Sequence, residues 1–225
     1  SITFTIIFNN VAGISTGSIP PFLFNLAGIM VWNYFTACLN STSDTFRANA
    51  GIFGKVYFPR IIMPLKVAVS NLIKFGIQFV FFLIVLFYYI YQGAPIHINS
   101  LVLFLPLLLL VIAFIALGTG MIISSLTVKY RDLNFVVTFG ISLFMYITPI
   151  VYPTTLVLEK VDKKYHSLIY MNPLTGIFDF FKYAFLGSGT IDFWSIVYSV
   201  VFSLVIMFLG LLVFTKTEKS FIDVI

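Results

Sequence analysis

Charge is the scarcest feature of this sequence. Of 225 residues, only 9% are Asp, Glu, Lys or Arg, while 60% are hydrophobic and the mean hydropathy is +1.06. An ordinary soluble domain carries roughly 25% charged residues, so this chain lacks the polar surface that water demands. Charge is missing altogether from residues 1–43, 75–128, 133–158 and 193–215. Each gap can hold the ~20 apolar residues that cross a ~30 Å hydrocarbon layer. Cysteine is nearly absent as well: Cys38 is the only one, which excludes an intrachain disulfide and a thiolate cluster. Near Ser1 there is neither a basic n-region nor a small-residue cleavage site, so the start does not read as a signal peptide. A cytoplasmic piece is expected to precede it. A soluble enzyme, a disordered chain and a disulfide-stapled fold are all excluded. The net charge of +5 does not point to nucleic acid, because the basic residues sit in short loops between apolar runs.

What is present is an all-α polytopic membrane protein, read as one transmembrane domain over 1–225. Pro, Gly and Asn punctuation divides it into six spans at about 1–12 (a truncated first span), 22–43, 65–91, 100–127, 133–151 and 192–214. Barrel strands would be ~10 residues of strict alternation, whereas residues 101–110 are continuously apolar. The Lys and Arg distribution orients the chain. Arg47, Lys55, Arg60, Lys66, Lys129, Arg131, Lys216 and Lys219 fall on one side. Lys160, Lys163, Lys164 and Lys182 fall on the other, matched by Glu159, Asp162, Asp179 and Asp192. The richer side, with both termini, is expected in the cytoplasm. The external segment 152–191 contains a short helix of ~13 residues, with Asn172 as its N-cap, Pro173 at its first position and Gly187 at its C-cap. Too short to span, it either lies in the interface, re-enters the outer leaflet or folds over the bundle.

No catalytic constellation is evident. His97 and His166 lack a second ligand at helical spacing, so no metal site is expected. Ion-coupled carriers keep ionisable groups inside their spans; the one candidate here, Lys74, reads as a lysine snorkelling toward the cytoplasmic interface. The stretch Gly51–Val56 glances at a phosphate-binding loop. Asn49 stands where that motif needs its first glycine, and Val56 replaces the Mg-binding hydroxyl, so any ATP must bind elsewhere. The cytoplasmic loop 44–65 exposes Ile52, Phe53, Val56, Tyr57 and Phe58 between Lys55 and Arg60. That composition fits a docking patch or an amphipathic helix lying on the bilayer. Lys129, Arg131 and Asp132 read as a second cytoplasmic contact or as topological flanks. Ala116, Gly120 and Ser124 recur at i+4, the spacing for close helix packing in lipid. Phe135, Phe139, Ser142 and Tyr146 form one helical stripe, and Phe4 and Phe8 lie one turn apart.

Lys55-Val-Tyr-Phe-Pro-Arg60 with Met63-Pro-Leu65 resembles the cytoplasmic loop of ABC-2 type permeases that export polysaccharides. Gly28-Ile-Met-Val-Trp-Asn33, Lys129-Tyr-Arg-Asp-Leu133, Thr148-Pro-Ile-Val-Tyr-Pro153, Asn172-Pro-Leu174 and Phe221-Ile-Asp-Val-Ile225 agree with it in order and spacing. The resemblance covers essentially the whole chain. It departs at the start, where members normally carry an amphipathic cytoplasmic helix, and at Ile61, where an acid often follows Pro-Arg.

The resemblance implies the membrane subunit of an O-antigen, capsule or teichoic acid exporter in a bacterial inner membrane. It further implies a homodimer of six-span subunits, each docked on a separate nucleotide-binding ATPase. ATP and Mg would sit on that partner, this chain needing no cofactor of its own. The coupling loop would be Lys55, Val56, Tyr57, Phe58, Pro59 and Arg60, with Lys129, Arg131 and Asp132 as a second contact. Lipid-linked polysaccharide would pass along Phe4, Phe8, Phe135, Phe139, Ser142 and Tyr146. The alternatives are an ABC-2 drug or lipid exporter, or a membrane-embedded enzyme of lipid-linked glycan synthesis. The last needs an acid–base pair or metal, and no external carboxylates are spaced to supply one.

Overall fold

A computed structural model of the chain describes residues 2–7, 16–49, 61–130, 132–162, 164 and 166–222. Among these, all regular structure is helical. The helices are α1 (Ile2–Phe4), α2 (Pro21–Ser43), α3 (Thr45–Ala48), α4 (Ile62–Tyr91), α5 (Leu105–Lys129), α6 (Leu133–Ile147), α7 (Thr154–Lys160), α8 (His166–Tyr170), α9 (Thr175–Leu186) and α10 (Phe193–Ile222). A 3-10 turn, Ser100–Phe104, leads into α5. Four stretches are long and apolar enough to cross a membrane: α2, α4, Ser100–Lys129 and Phe193–Glu218. Of the expected first span only residues 2–7 bear description, so half of 1–12 lies outside the described residues.

The fifth expected span, 133–151, is too long. Helix α6 stops at Ile147, and its 15 residues reach only about 22 Å. The cause is Pro149. Its ring disfavours helical geometry at the preceding residue, and Thr148 is extended, with φ −85° and ψ 137°. The third span starts earlier than expected, at Ile62 rather than 65.

Helices α2 and α5 form the centre of the bundle. Helix α2 begins with Pro21 in its first turn, where the missing N–H costs nothing. It buries Leu23, Ala27, Val31 and Cys38 against α4 and α5. Helix α5 packs on α2 through one face and on α10 through another. Both contacts depend on glycine. A Cβ on Gly118 would lie 2.5 Å from the Ile206 carbonyl oxygen, and one on Gly210 would lie 2.5 Å from that of Gly118. A Cβ on Gly120 would meet Thr42 Cβ at 2.7 Å and Leu39 O at 3.1 Å. Ala116 and Ser124, a turn above and below, are fully buried. The small stripe Ala116, Gly120 and Ser124 therefore faces α2 and α3 of the same subunit; Ser124 Oγ accepts the Phe46 N–H at 3.3 Å. Gly120→Leu is expected to force α2 and α5 apart at about 1–3 kcal/mol. Reduced yield and polydispersity in detergent would report this, and a monodisperse variant at normal yield would contradict it.

Among the described residues of segment 152–191 there are three short helices, not the one expected. Helix α9 starts at Thr175, two residues later than expected. Asn172 closes a turn instead: its Oδ1 accepts the Leu174 N–H at 3.0 Å, and its Nδ2 donates to Thr148 Oγ1 at 2.9 Å. At the other end Gly187 takes the left-handed conformation, φ 68°, and its N–H reaches Tyr183 O at 3.0 Å. That is the glycine cap expected from the sequence. Phe178, Phe181 and Phe185 are buried, with Phe185 edge-on to Phe79 and Phe82 of α4. Helix α9 is thus packed into the bundle against α2 and α4.

Candidate functional site

Two features of α6 and its surroundings stand out: a buried polar clamp at one end and an open aromatic face along its length. The clamp begins with Lys182. Its sequence neighbours Phe181, Tyr183 and Phe185 make α9 an apolar helix with one cation, and the burial of that cation at 2% exposure corrects its reading as a loop charge. Lys182 Nζ donates to Pro149 O at 2.7 Å and to Tyr152 O at 3.5 Å. It also sits 3.9 Å from the centroid of the Phe24 ring, close enough for a cation–π contact. One turn earlier, Asp179 Oδ1 accepts the Thr154 hydroxyl at 2.7 Å. Burial pushes the Lys182 ammonium below its usual range, opposed by Asp179; burial pushes the Asp179 carboxyl up, opposed first by Thr154 and then by Lys182. A cavity of about 10 Å³ lies among Phe24, Thr154, Asp179 and Lys182.

The clamp fixes the bend 148–153. Thr148 and Ile150 are fully buried there, and the Ile150 carbonyl lies so close to Gly28 of α2 that a Cβ at that position would collide with it. One end of α6 is therefore pinned to α2 and α9. Partway along, Phe144 packs beside Trp32 and Phe35, with centroids 6.1 and 6.5 Å apart. No residue of α6 is buried. Its outer face carries Phe135, Phe139 and Tyr146 at 81%, 65% and 64% exposure. Ser142 is exposed on the same face, its hydroxyl turned back to Thr138 O at 3.0 Å. The stripe expected from spacing is thus a continuous exposed surface in the single subunit. Among the described residues no three His, Cys, Asp or Glu lie close enough to share a metal.

At the positively charged end, Lys129, Tyr130, Asp132, Leu133 and Val136 line an open cavity of about 560 Å³, and Lys129 Nζ is 5.4 Å from the Tyr130 ring centroid. Arg131, the side chain of Phe4, Phe8, and the coupling-loop residues Lys55, Val56, Tyr57, Phe58, Pro59 and Arg60 lie outside the described residues. The flanks of that loop are described. Phe46 of α3 is buried and stacks on Phe214 of α10 with centroids 4.6 Å apart, which brings the start of the loop to the same end of the bundle as Lys129.

Sequence reasoning missed Lys182 as a clamp and the Gly118–Gly210 contact. Gly118 had a legible signal, being a second glycine two residues from Gly120 on another face of the same helix. Lys182 had none, because its partners are backbone carbonyls some thirty residues upstream.

The family described as "ABC-2 type transporter" matches residues 1–186. Two proteins of Klebsiella pneumoniae named O-antigen export system permease protein RfbA are similar to the chain, 28% identical over 205 residues and 30% over 206. Each alignment covers 90% of this chain and 75% of the relative. A protein of the same name from Myxococcus xanthus is 21% identical over 222 residues, covering 99% of this chain and 82% of its own length.

Proposed function

The chain belongs to the ABC-2 type transporter family, and on that footing we propose that it is the membrane-spanning subunit of an ATP-driven exporter of lipid-linked polysaccharide. The observation that carries the reading is the match, along nine-tenths of the chain, to two relatives named as O-antigen export permeases. In this reading a nucleotide-binding partner supplies ATP and Mg, and docks on the loop around Lys55–Arg60 and on Lys129, Arg131 and Asp132. Two copies of a six-span subunit, with cytoplasmic termini in a bacterial inner membrane, enclose the path. The polysaccharide is of the O-antigen, capsule or teichoic acid type.

The exposed face of α6 supports this assignment of the path. Aromatic rings offer flat apolar faces to sugar C–H groups, and Ser142 and the Tyr146 hydroxyl can exchange hydrogen bonds with sugar hydroxyls as they pass. A surface of that kind holds a glycan weakly at many points, which suits sliding. Among the described residues nothing covers Phe135, Phe139 or Tyr146, a surface that a partner copy, glycan or lipid can occupy. Phe139→Ala and Tyr146→Ala are expected to lower glycan export several-fold while leaving assembly with the ATPase intact. Cysteines at 135, 139, 142 and 146 should react with water-soluble reagents; labelling only by lipid-soluble ones would remove these residues from the path.

The assignment as a whole is tested by reconstituting the full-length permease with its ATPase in vesicles and following ATP-dependent transfer of a lipid-linked glycan. Hydrolysis stimulated by such a glycan is the expected result. Stimulation by amphiphilic drugs but by no glycan would overturn it.

A further inference from the structure

Helix α4 exposes Lys66, Ser70, Lys74 and Gln78, a polar row at i, i+4, i+8 and i+12. Beside it, antiparallel, α2 exposes Asn33 and Asn40, with Thr36 half-buried between them. The rows converge where Asn33 Nδ2 donates to Gln78 Oε1 at 3.5 Å. One turn toward the positively charged end, Tyr34 meets Phe75 with centroids 5.5 Å apart, so Asn40 and Ser70 fall at a similar level. The two helices thus share a polar groove that descends from Lys66 to the middle of α4. Gln78 lies sixteen residues from one end of that helix and thirteen from the other, roughly 20 Å from either.

Polar side chains exposed to hydrocarbon are costly and mark polar or water-filled routes. Snorkelling accounts for a lysine near a helix end, and so covers Lys66 and Lys74. It does not account for Asn33 and Gln78, whose short side chains cannot reach the interface from mid-helix. Nor does either helix carry an acidic residue, and Asp44, which follows α2, is paired with Arg47 at 2.6 Å. The flank of α4 next to the row is apolar and exposed, with Ile73, Ile77 and Phe81 at 66%, 70% and 53%. Cations, amides and a hydroxyl beside a greasy flank match an anionic head joined to a hydrocarbon tail.

We propose that the α2–α4 groove receives the phosphate-bearing head of a lipid from the cytoplasmic leaflet. Lys66 and Lys74 bind the phosphate in succession, Ser70, Asn40 and Gln78 donate to its oxygens, and the tail stays in the bilayer along Ile73, Ile77 and Phe81. The proposal rests on the chain being a membrane-spanning exporter subunit, and it adds an entry site distinct from the aromatic face of α6.

The test uses the full-length permease with its ATPase in phosphatidylcholine nanodiscs, read by binding of a fluorescent polyprenyl diphosphate. The double variant Lys66→Gln/Lys74→Gln should weaken binding at least tenfold, and Lys66→Arg/Lys74→Arg should restore it. The uncharged polyprenol should bind all three forms equally weakly. Competition by phosphatidylglycerol as strong as by the unlabelled diphosphate would identify a general lipid-phosphate site, and competition by the diphosphate alone a selective one; either result supports the groove. Unchanged diphosphate binding by the double Gln variant overturns the proposal, as does an equal loss of polyprenol binding. Co-purification with the ATPase reports that the variants are folded. No glycan transport enters the readout, so failed export with intact head-group binding would count against the exporter reading alone.

Discussion

Lys182→Ala is expected to cost the permease a large share of its stability. The substitution leaves the Pro149 carbonyl, accepting at 2.7 Å, without its donor in a buried site, a loss of about 1–3 kcal/mol. It also removes the ammonium from the Phe24 ring, 3.9 Å away, worth about 2 kcal/mol when desolvated. Asp179, on the same helix, loses the cation that favours its charged form. These terms overlap, and removal of one member of a buried charged set commonly costs about 3–5 kcal/mol in total, out of about 5–15 kcal/mol for a whole domain. Lys182→Met keeps the aliphatic stem and should lose less, which separates packing from the polar contacts. Thermal unfolding in detergent, followed by the loss of monodisperse protein, would rank wild type above Met above Ala. A Lys182→Ala protein that melts with wild type would show that the bend 148–153 holds without its clamp.

The long spans were legible because hydropathy needs no partner to be read: α2, α4, α5 and α10 each declare themselves by long, predominantly apolar runs. Gly187 was legible for a similar local reason, since a glycine after an apolar helix supplies the left-handed residue its own backbone requires. The end of α6 was misplaced because hydropathy continues through Ile150 and Val151 while the backbone obeys Pro149. Asn172 looked like a helix cap from its neighbour Pro173, yet its side chain is held by Leu174 and Thr148, and Thr148 is a residue of another segment. Lys182 and Asp179 were misread most. At i and i+3 in an amphipathic pattern they resemble a solvated pair, and only the return of the chain past Pro149 and Thr154 makes that surface an interior.

Phe58→Ala is expected to separate the permease from its ATPase, or to leave the two bound but uncoupled, without unfolding the permease. The expectation comes from the residues Lys55-Val-Tyr-Phe-Pro-Arg60, where aromatic side chains and Pro59 sit between two cations. Aromatic and Arg residues commonly anchor interfaces, and truncating one anchor costs about 2 kcal/mol or more, roughly a thirtyfold weaker complex. Tyr57, Phe58 and Pro59 would fill a groove on the ATPase, with Lys55 and Arg60 at its rim. The described flanks explain how movement there reaches the bundle. Before the loop, Phe46 is locked to Phe214 and to Ser124, which belong to the ends of α10 and α5. After it, α4 begins at Ile62 and packs directly on α2. A displacement of the loop therefore pulls on the ends of three spans at once. The affinity of the purified subunits, the melting temperature of the permease and glycan export, measured together, decide the matter. Weaker binding or lost export at an unchanged melting temperature is the expected pattern. Wild-type affinity with wild-type export would place the coupling contact elsewhere, with Lys129 and Asp132 the next residues to substitute.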